Sequence, residues 1–415
     1  MTMEHVTRLT CVNCGKHYGT DVLYTCPDCG IEGILDIEYD YPKVGKTLTR
    51  GALELRAPTQ WRYRELLPID EASQPPPLQV GMTPVYDAPR LAAAVGVKSL
   101  RLKDDGRNPT GSFKDRASAV GVVKAKELKK DVVACASTGN AASSLAGFAA
   151  AVGLKSFIFV PERAPEPKLA QLLIFGANVL RVKGSYDQAY YFCQDACAKY
   201  GWYNRNCAVN PYLIEGKKTA GLEIAEQLGP AMPDWVVFSV GDGCTIGGAW
   251  KGLKEMYQLK FTPQLPKMLG VQAEGSAPLT EAFEKNADAI RPTQAKTLAD
   301  SIAVGQPRNW RKALRAIRES NGAMVSVSDS AILEAMRQSA RLAAVFAEPA
   351  AATALAGLGK AVERGIVRKS ETALVVVTGN GLKDVKSAIE ATAPPIDIAP
   401  NLSALDAELN QRRLL

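Results

Sequence analysis

One lysine stands where its amine could do covalent chemistry. It lies in Asn108-Pro109-Thr110-Gly111-Ser112-Phe113-Lys114-Asp115-Arg116. Asn-Pro and Gly111 read as a tight turn. Ser112 is a good N-cap, and Ala117 to Lys126 runs on at helical spacing. Lys114 is therefore expected at the mouth of a helix. That end of a helix is already positive, so the cationic form of the amine is disfavoured there. A depressed pKa is what a Schiff-base lysine needs.

A second set of residues could hold a metal. Cys11-Val12-Asn13-Cys14 and Cys26-Pro27-Asp28-Cys29 each precede a glycine, Gly15 and Gly30. Two such knuckles offer four thiolates, enough for a closed tetrahedral zinc site of the ribbon type. With four protein ligands, a zinc held there would be structural and not catalytic. The other five cysteines, Cys135, Cys193, Cys197, Cys207 and Cys244, are scattered. This is a metal pattern plus free thiols, and not a disulfide framework. His5 and His17 are the only histidines. No histidine-based triad can be built in the rest of the chain, which removes many hydrolase mechanisms.

These residues need a scaffold to position them. The 415 residues are 47% hydrophobic and 22% charged, as in a large globular α/β protein. From about residue 85, apolar runs end in Gly/Ser/Thr/Asn loops and alanine-rich helices follow. Val132 to Ala136 leads into Ser137-Thr138-Gly139-Asn140, Trp235 to Val240 into Gly241-Asp242-Gly243-Cys244-Thr245, and Ala373 to Val377 into Thr378-Gly379-Asn380-Gly381. Such strands are buried on both faces and belong to parallel sheets covered by helices. Ligands then bind at the strands' carboxyl ends, where these loops fall. Gly241 to Thr245 could cradle a phosphate, and Ser137 to Asn140 a carboxylate. Neither a Walker A nor a GxGxxG spacing is present. We expect a ribbon-like module over 1–40, a connector over 41–80 and a catalytic domain over 81–415, with a smaller subdomain at roughly 118–212. The tail from Pro394 is expected to pack on the body or on a partner subunit.

The net charge of +7 is spread along the chain and forms no basic run. A nucleic-acid partner gets no support from it. There is no apolar N-terminal signal region, and the apolar run from Leu145 to Val160 is broken and too short to span a membrane. A cytoplasmic protein is expected.

The Lys114 motif, the STGN loop, the glycine-rich loop and the late Thr-Gly-Asn-Gly-Leu-Lys-Asp occur in the order seen in fold-type II (tryptophan synthase β-like) pyridoxal-phosphate (PLP) enzymes. Asn210-Pro211-Tyr212, Glu215-Gly216-Lys217-Lys218-Thr219 and Glu348-Pro349-Ala350 add to the likeness. Over nearly the whole chain the sequence resembles the threonine synthase family, one branch of which carries the cysteine ribbon. The resemblance implies two parallel α/β subdomains, a homodimer and an amino-acid substrate. It implies that Lys114 binds PLP as a Schiff base and moves protons, and that Asn140 meets the cofactor's phenolic oxygen. Gly241, Asp242, Gly243, Cys244 and Thr245 would hold its phosphate. Thr378 would meet the pyridine nitrogen with a neutral hydroxyl, which suits elimination over transamination. Ser137, Thr138, Gly139 and Asn140 would take the substrate's α-carboxylate.

The sequence departs from that pattern where the family binds the leaving phosphate of O-phosphohomoserine. Ala141, Cys207, Ala208 and Leu213 stand where family members usually have polar or charged donors, and the loop reads Gly-Asp-Gly-Cys-Thr. Arg205, Lys217 and Lys218 are near enough in sequence to substitute. Two activities fit. One is a lyase converting O-phosphohomoserine to threonine. The other is β-elimination or β-replacement on serine, threonine, O-phosphoserine or a hydroxyaspartate, as in cysteate synthases. A non-catalytic homologue whose ribbon contacts protein or nucleic acid is disfavoured, because every PLP-contacting position is filled.

Overall fold

The computed structural model describes residues 3–21, 23–162, 164, 166–207 and 209–412. Its strands in chain order are β1 (Val6–Cys11), β2 (His17–Tyr18), β3 (Leu35–Tyr39), β4 (Val85–Asp87), β5 (Ser99–Asp104), β6 (Val132–Ala136), β7 (Lys155–Pro161), β8 (Asn178–Val182), β9 (Tyr203–Asn204), β10 (Trp235–Ser239), β11 (Lys267–Ala273), β12 (Ala323–Val327) and β13 (Thr372–Val377). They form three sheets. β2-β1-β3 is the antiparallel sheet of the cysteine module. β8-β7-β6-β9 is wholly parallel. The large sheet runs β12-β11-β10-β13-β5-β4, and only the edge strand β4 is antiparallel.

The apolar runs fold as they do because both faces of the large sheet are covered. Along β10 and β13, Val236, Phe238, Leu374 and Val376 pack into one apolar cluster, while Val237, Val375 and Val377 pack into another. Side chains alternate between faces, and here both faces are core. One cluster also takes in the cysteine module and the segment after it, through Leu9, Leu35, Tyr39, Trp61, Tyr63 and Leu66.

The segment over 41–80 is more than a connector. A 3-10 helix at Gln60–Leu66 is almost wholly buried. Gln60 donates to the Arg116 carbonyl at 3.2 Å, and Arg62 pairs with Glu226 at 2.8 Å. The tail helix, Leu402–Gln411, fully buries none of its residues against the body.

Two long helices bring the site together. Tyr212–Leu228 and Cys244–Gln258 approach so closely that a β-carbon on Gly221 would lie 2.0 Å from the Ala249 carbonyl oxygen. One on Gly252 would lie 2.2 Å from that of Lys218. Only glycine permits such backbone contact.

Candidate active site

The helix carrying Lys114 runs Lys114–Glu127, so the lysine stands at its first residue. Ser112 is not its cap. Phe113 already has helical dihedrals, no side chain caps the end, and the buried Ser112 hydroxyl has no partner. The turn is held instead by Asp115, which accepts from the Thr110 N–H at 2.7 Å and from the Thr110 hydroxyl. Gly111 adopts φ +78°, a region open chiefly to glycine. Arg116 locks the base of the turn. Its guanidinium, fully buried, meets Asp105 at 2.6 Å and Glu223 at 2.5 Å, and Lys103 meets Glu223 at 2.9 Å. Lys114 itself makes no hydrogen bond or ion pair among the described residues. Burial first, then the charges of Lys217 and Arg205, draws its pKa below the ordinary lysine value.

Loops at the carboxyl ends of the parallel strands are tied to this turn: the Phe113 N–H donates to the Thr378 carbonyl at 2.9 Å, and the charge of Glu348, the partner of Asn140, acts on the Lys114 amine. After β6, Ser137 to Gly139 lead into a helix that begins at Asn140. Asn140 is buried, and its amide donates to both oxygens of Glu348, at 2.8 and 3.0 Å. Thr138, Gly139 and Asn140 line a narrow cleft with Ser301, Glu348 and Lys383. Burial raises the Glu348 carboxyl's pKa, opposed by Asn140 and by the charge of Lys114. After β13, Thr378 is buried, with Ser239 Oγ 3.5 Å from its hydroxyl.

After β10, the loop 241–245 turns into the helix Cys244–Gln258. Gly243 sits at φ +89°, and a β-carbon there would lie 2.8 Å from the Asn309 carbonyl oxygen. Asp242 could repel a phosphate, but its carboxylate is turned aside. It accepts from the Arg308 N–H at 2.6 Å, from Asn309 at 3.2 Å and from the Cys244 thiol at 3.0 Å. The loop thus leaves backbone N–H groups and a helix start, the arrangement that suits a phosphate.

Glu348 was quoted above only as part of a motif, yet it is the partner of Asn140. A buried glutamate ahead of Pro349 at a helix start is its only local signal, and the two residues are 208 positions apart. Of the three cations near Cys207 in sequence, Lys218 is not available. It is tied to Glu215 at 2.6 Å and Glu255 at 2.9 Å. Arg205 and Lys217 do converge, on Cys207. Leu213 and Ala141 offer no polar side chain, and Ala208 lies outside the described residues.

At the other end of the chain, the sulfur atoms of Cys11, Cys14, Cys26 and Cys29 all lie within 4.8 Å of one another. A zinc tetrahedron with Zn–S bonds of about 2.3 Å has S–S edges of about 3.8 Å, so the donors suit that ion. Both knuckles close with a glycine N–H donated back to the first cysteine, Gly15 to Cys11 and Gly30 to Cys26.

The donor set of the central site also suits PLP: an unpaired, half-buried amine, a glycine loop at a helix start and a neutral hydroxyl. Residues 77–379 match the family model described as pyridoxal-phosphate dependent enzyme. The chain belongs to that family and has the fold-type II architecture. It is similar to the processed form of threonine deaminase isoform 2 from Solanum lycopersicum, with a TM-score of 0.64 and 23% identity over 75% of this chain and 87% of that one. It is 42% identical to threonine synthase from Methanosarcina acetivorans over 96% of this chain and 97% of the relative. Threonine synthase from Methanocaldococcus jannaschii is 41% identical, over 97% and 99%. Fold, site and relatives together define a PLP-dependent lyase of the threonine-synthase type.

Proposed function

We propose that this lyase converts O-phosphohomoserine and water to threonine and phosphate, with Lys114 as the residue that binds PLP. The observation that supports the reading is the Lys114 amine, unpaired among the described residues and acted on by the charges of Lys217 and of Glu348, the partner of Asn140, in a chain 42% identical to a threonine synthase. Bound there, PLP supplies an electron sink that stabilises negative charge on the substrate's carbons. The rest belongs to this chain. Lys114 Nζ, whose cationic form burial and the Lys217 charge disfavour, takes and returns protons at substrate carbons. The hydroxyls of Ser137 and Thr138 and the backbone through Gly139 would hold the α-carboxylate at the helix start. Asn140, oriented by Glu348, addresses the phenolic oxygen of PLP. The backbone of 241–245 holds its phosphate. Thr378 offers the ring nitrogen a hydroxyl and not a carboxylate.

The alternative activity on a smaller amino acid draws on the missing phosphate donors alone and is not favoured by the relatives. We infer further that the four cysteines hold a structural zinc, and that the protein works as a cytoplasmic homodimer. The thiol pattern and the family resemblance support the latter. No helix among the described residues is long and apolar enough to cross a membrane.

The test is direct. Purified protein should show the visible absorption of lysine-bound PLP and release phosphate from O-phosphohomoserine with formation of threonine. Lys114→Ala should lose both. A retained visible band in Lys114→Ala would remove Lys114 from its role. Phosphate release from O-phosphoserine but not from O-phosphohomoserine would select the alternative.

A further inference from the structure

Arg205 and Lys217 are an exception among the buried cations. Among the described residues, Arg62, Lys103, Arg116, Lys124, Lys218 and Lys312 are buried and each sits on a carboxylate. Arg205 and Lys217 are only 1% and 2% exposed, and neither has a carboxylate partner. A buried cation without a counter-charge is costly, so it is rarely kept without a use. These two are also neighbours. Lys217 Nζ lies 3.1 Å and Arg205 Nη1 3.3 Å from Cys207 Sγ. The Arg205 Nε–H is buried and has no partner among the described residues.

Their position is informative. Arg205 Nη2 donates to Ser118 at 3.0 Å. Ser118 is four residues after Lys114 on one helix, so it shares the lysine's face. On the other side the Cys244 thiol, at the start of the glycine-loop helix, lies beside Cys207. The pair therefore stands between the Lys114 amine and the loop assigned to the cofactor's phosphate. Two anions of the bound state already have helix-start sites, the cofactor's phosphate at 241–245 and the substrate carboxylate at 137–139. The two unpaired cations are left for a third.

We propose that Arg205 and Lys217 form a second anion subsite, which takes the leaving phosphate of the substrate, with Cys207 lying between them in the free enzyme. This rests on the function proposed above. It also accounts for how the chain manages with Leu213 and Ala141 where donors are expected: the positive charge has moved to the end of β9 and one turn along the Tyr212–Leu228 helix. Cys207 is half-buried. Its thiol is pushed toward the thiolate, first by its contact with Cys244 and then by Lys217 and Arg205, both of which donate to its sulfur. Its sulfur accepts from both cations where the phosphate would sit.

The experiment uses PLP-saturated enzyme and inorganic phosphate as the probe. Phosphate should slow alkylation of Cys207 by iodoacetamide, followed by peptide mass spectrometry, and should inhibit competitively with O-phosphohomoserine. Lys217→Gln should raise both the phosphate inhibition constant and the KM by about tenfold or more, the loss expected for one charge-assisted bond to an anion. Lys217→Arg should recover most of it, and the visible PLP band should not change in either variant. Unprotected Cys207 in the wild type, or unchanged phosphate inhibition in a Lys217→Gln enzyme with its PLP band intact, would overturn the subsite. If Lys217→Gln does not fold, the wild-type protection experiment decides alone. Protection of Cys207 by phosphate without turnover of O-phosphohomoserine would uphold the subsite and remove the substrate assignment instead.

Discussion

At the scale of single residues, the site depends on pairs that sequence distance hides. Asn140 is held by Glu348, and Glu348 is held in turn by the absence of a side chain at residue 379. A β-carbon on Gly379 would lie 2.2 Å from Glu348 Oε1 and 2.4 Å from its carboxyl carbon. Gly379→Ala should therefore push Glu348 off Asn140. Because displacement of about 1 Å in a positioned group can cost roughly a hundredfold, we expect kcat/KM to fall by 10- to 100-fold. The thermal midpoint should move little, and steady-state kinetics beside a melting curve will separate the two. The same scale shows what could be read beforehand. Lys114 was singled out by its turn and helix start, and the loops at 137–140, 241–245 and 378–381 by the apolar runs before them, while the roles proposed for Asn140 and Thr378 came from the family resemblance. Lys217 and Lys218 could not be told apart, since successive helical residues point about 100° apart, as the period of 3.6 dictates. Only packing shows that one faces Cys207 and the other Glu215 and Glu255.

At the scale of elements, the strands were legible because burial on both faces leaves long apolar runs, and β6, β10 and β13 begin and end within a residue of those runs. The Ser112 cap was not, because the helix start is organised by tertiary contacts of Asp115 and Arg116. Those contacts predict an acid limb of stability. Arg116 and Lys103 lower Glu223 from 4.5 to about 2, outweighing the effect of its burial, which is the largest single influence and raises it. A depressed carboxyl contributes stability above its unfolded pKa and loses it as pH falls through the folded one. Here that is about 3 kcal/mol, lost between roughly pH 4.5 and 2. Urea midpoints measured from pH 7 to pH 2 should fall over that window in the wild type. Glu223→Gln should begin lower at pH 7 and show a shallower decline. The contact between the two long helices makes a separate prediction. Gly221→Ala should destabilise by about 1–3 kcal/mol through overpacking, read as a lower urea midpoint at unchanged slope.

At the scale of the whole molecule, the cysteine module is fastened to both halves of the catalytic body. Asp36 meets Lys251 at 3.2 Å and Lys312 at 3.1 Å, and Tyr39 donates to Glu215 at 2.7 Å. Tyr24, in the loop between the two knuckles, accepts the N–H of Asn204 at 2.9 Å. Metal analysis should find one zinc per chain, lost in Cys11→Ser, and the zinc-free protein should unfold at lower temperature. The boundary at residue 40 marks a change of sheet, yet the module shares one apolar cluster with the body. That sharing could not be read from the spacing of cysteines.

The Tyr24 bond reaches further than anchorage. Asn204 immediately precedes Arg205, so this bond ties the loop between the two knuckles to the backbone next to the proposed subsite. If the four cysteines hold zinc and Arg205 meets the substrate's phosphate, as proposed, a cell short of zinc would lose grip on the phosphorylated substrate before it lost the enzyme. Partial chelation should raise KM while the PLP band and kcat persist, and Tyr24→Phe, which leaves the tyrosine ring in place and removes only the hydroxyl, should reproduce that rise with the metal still bound. The supply of a trace element would thereby set the substrate concentration at which this enzyme begins to work.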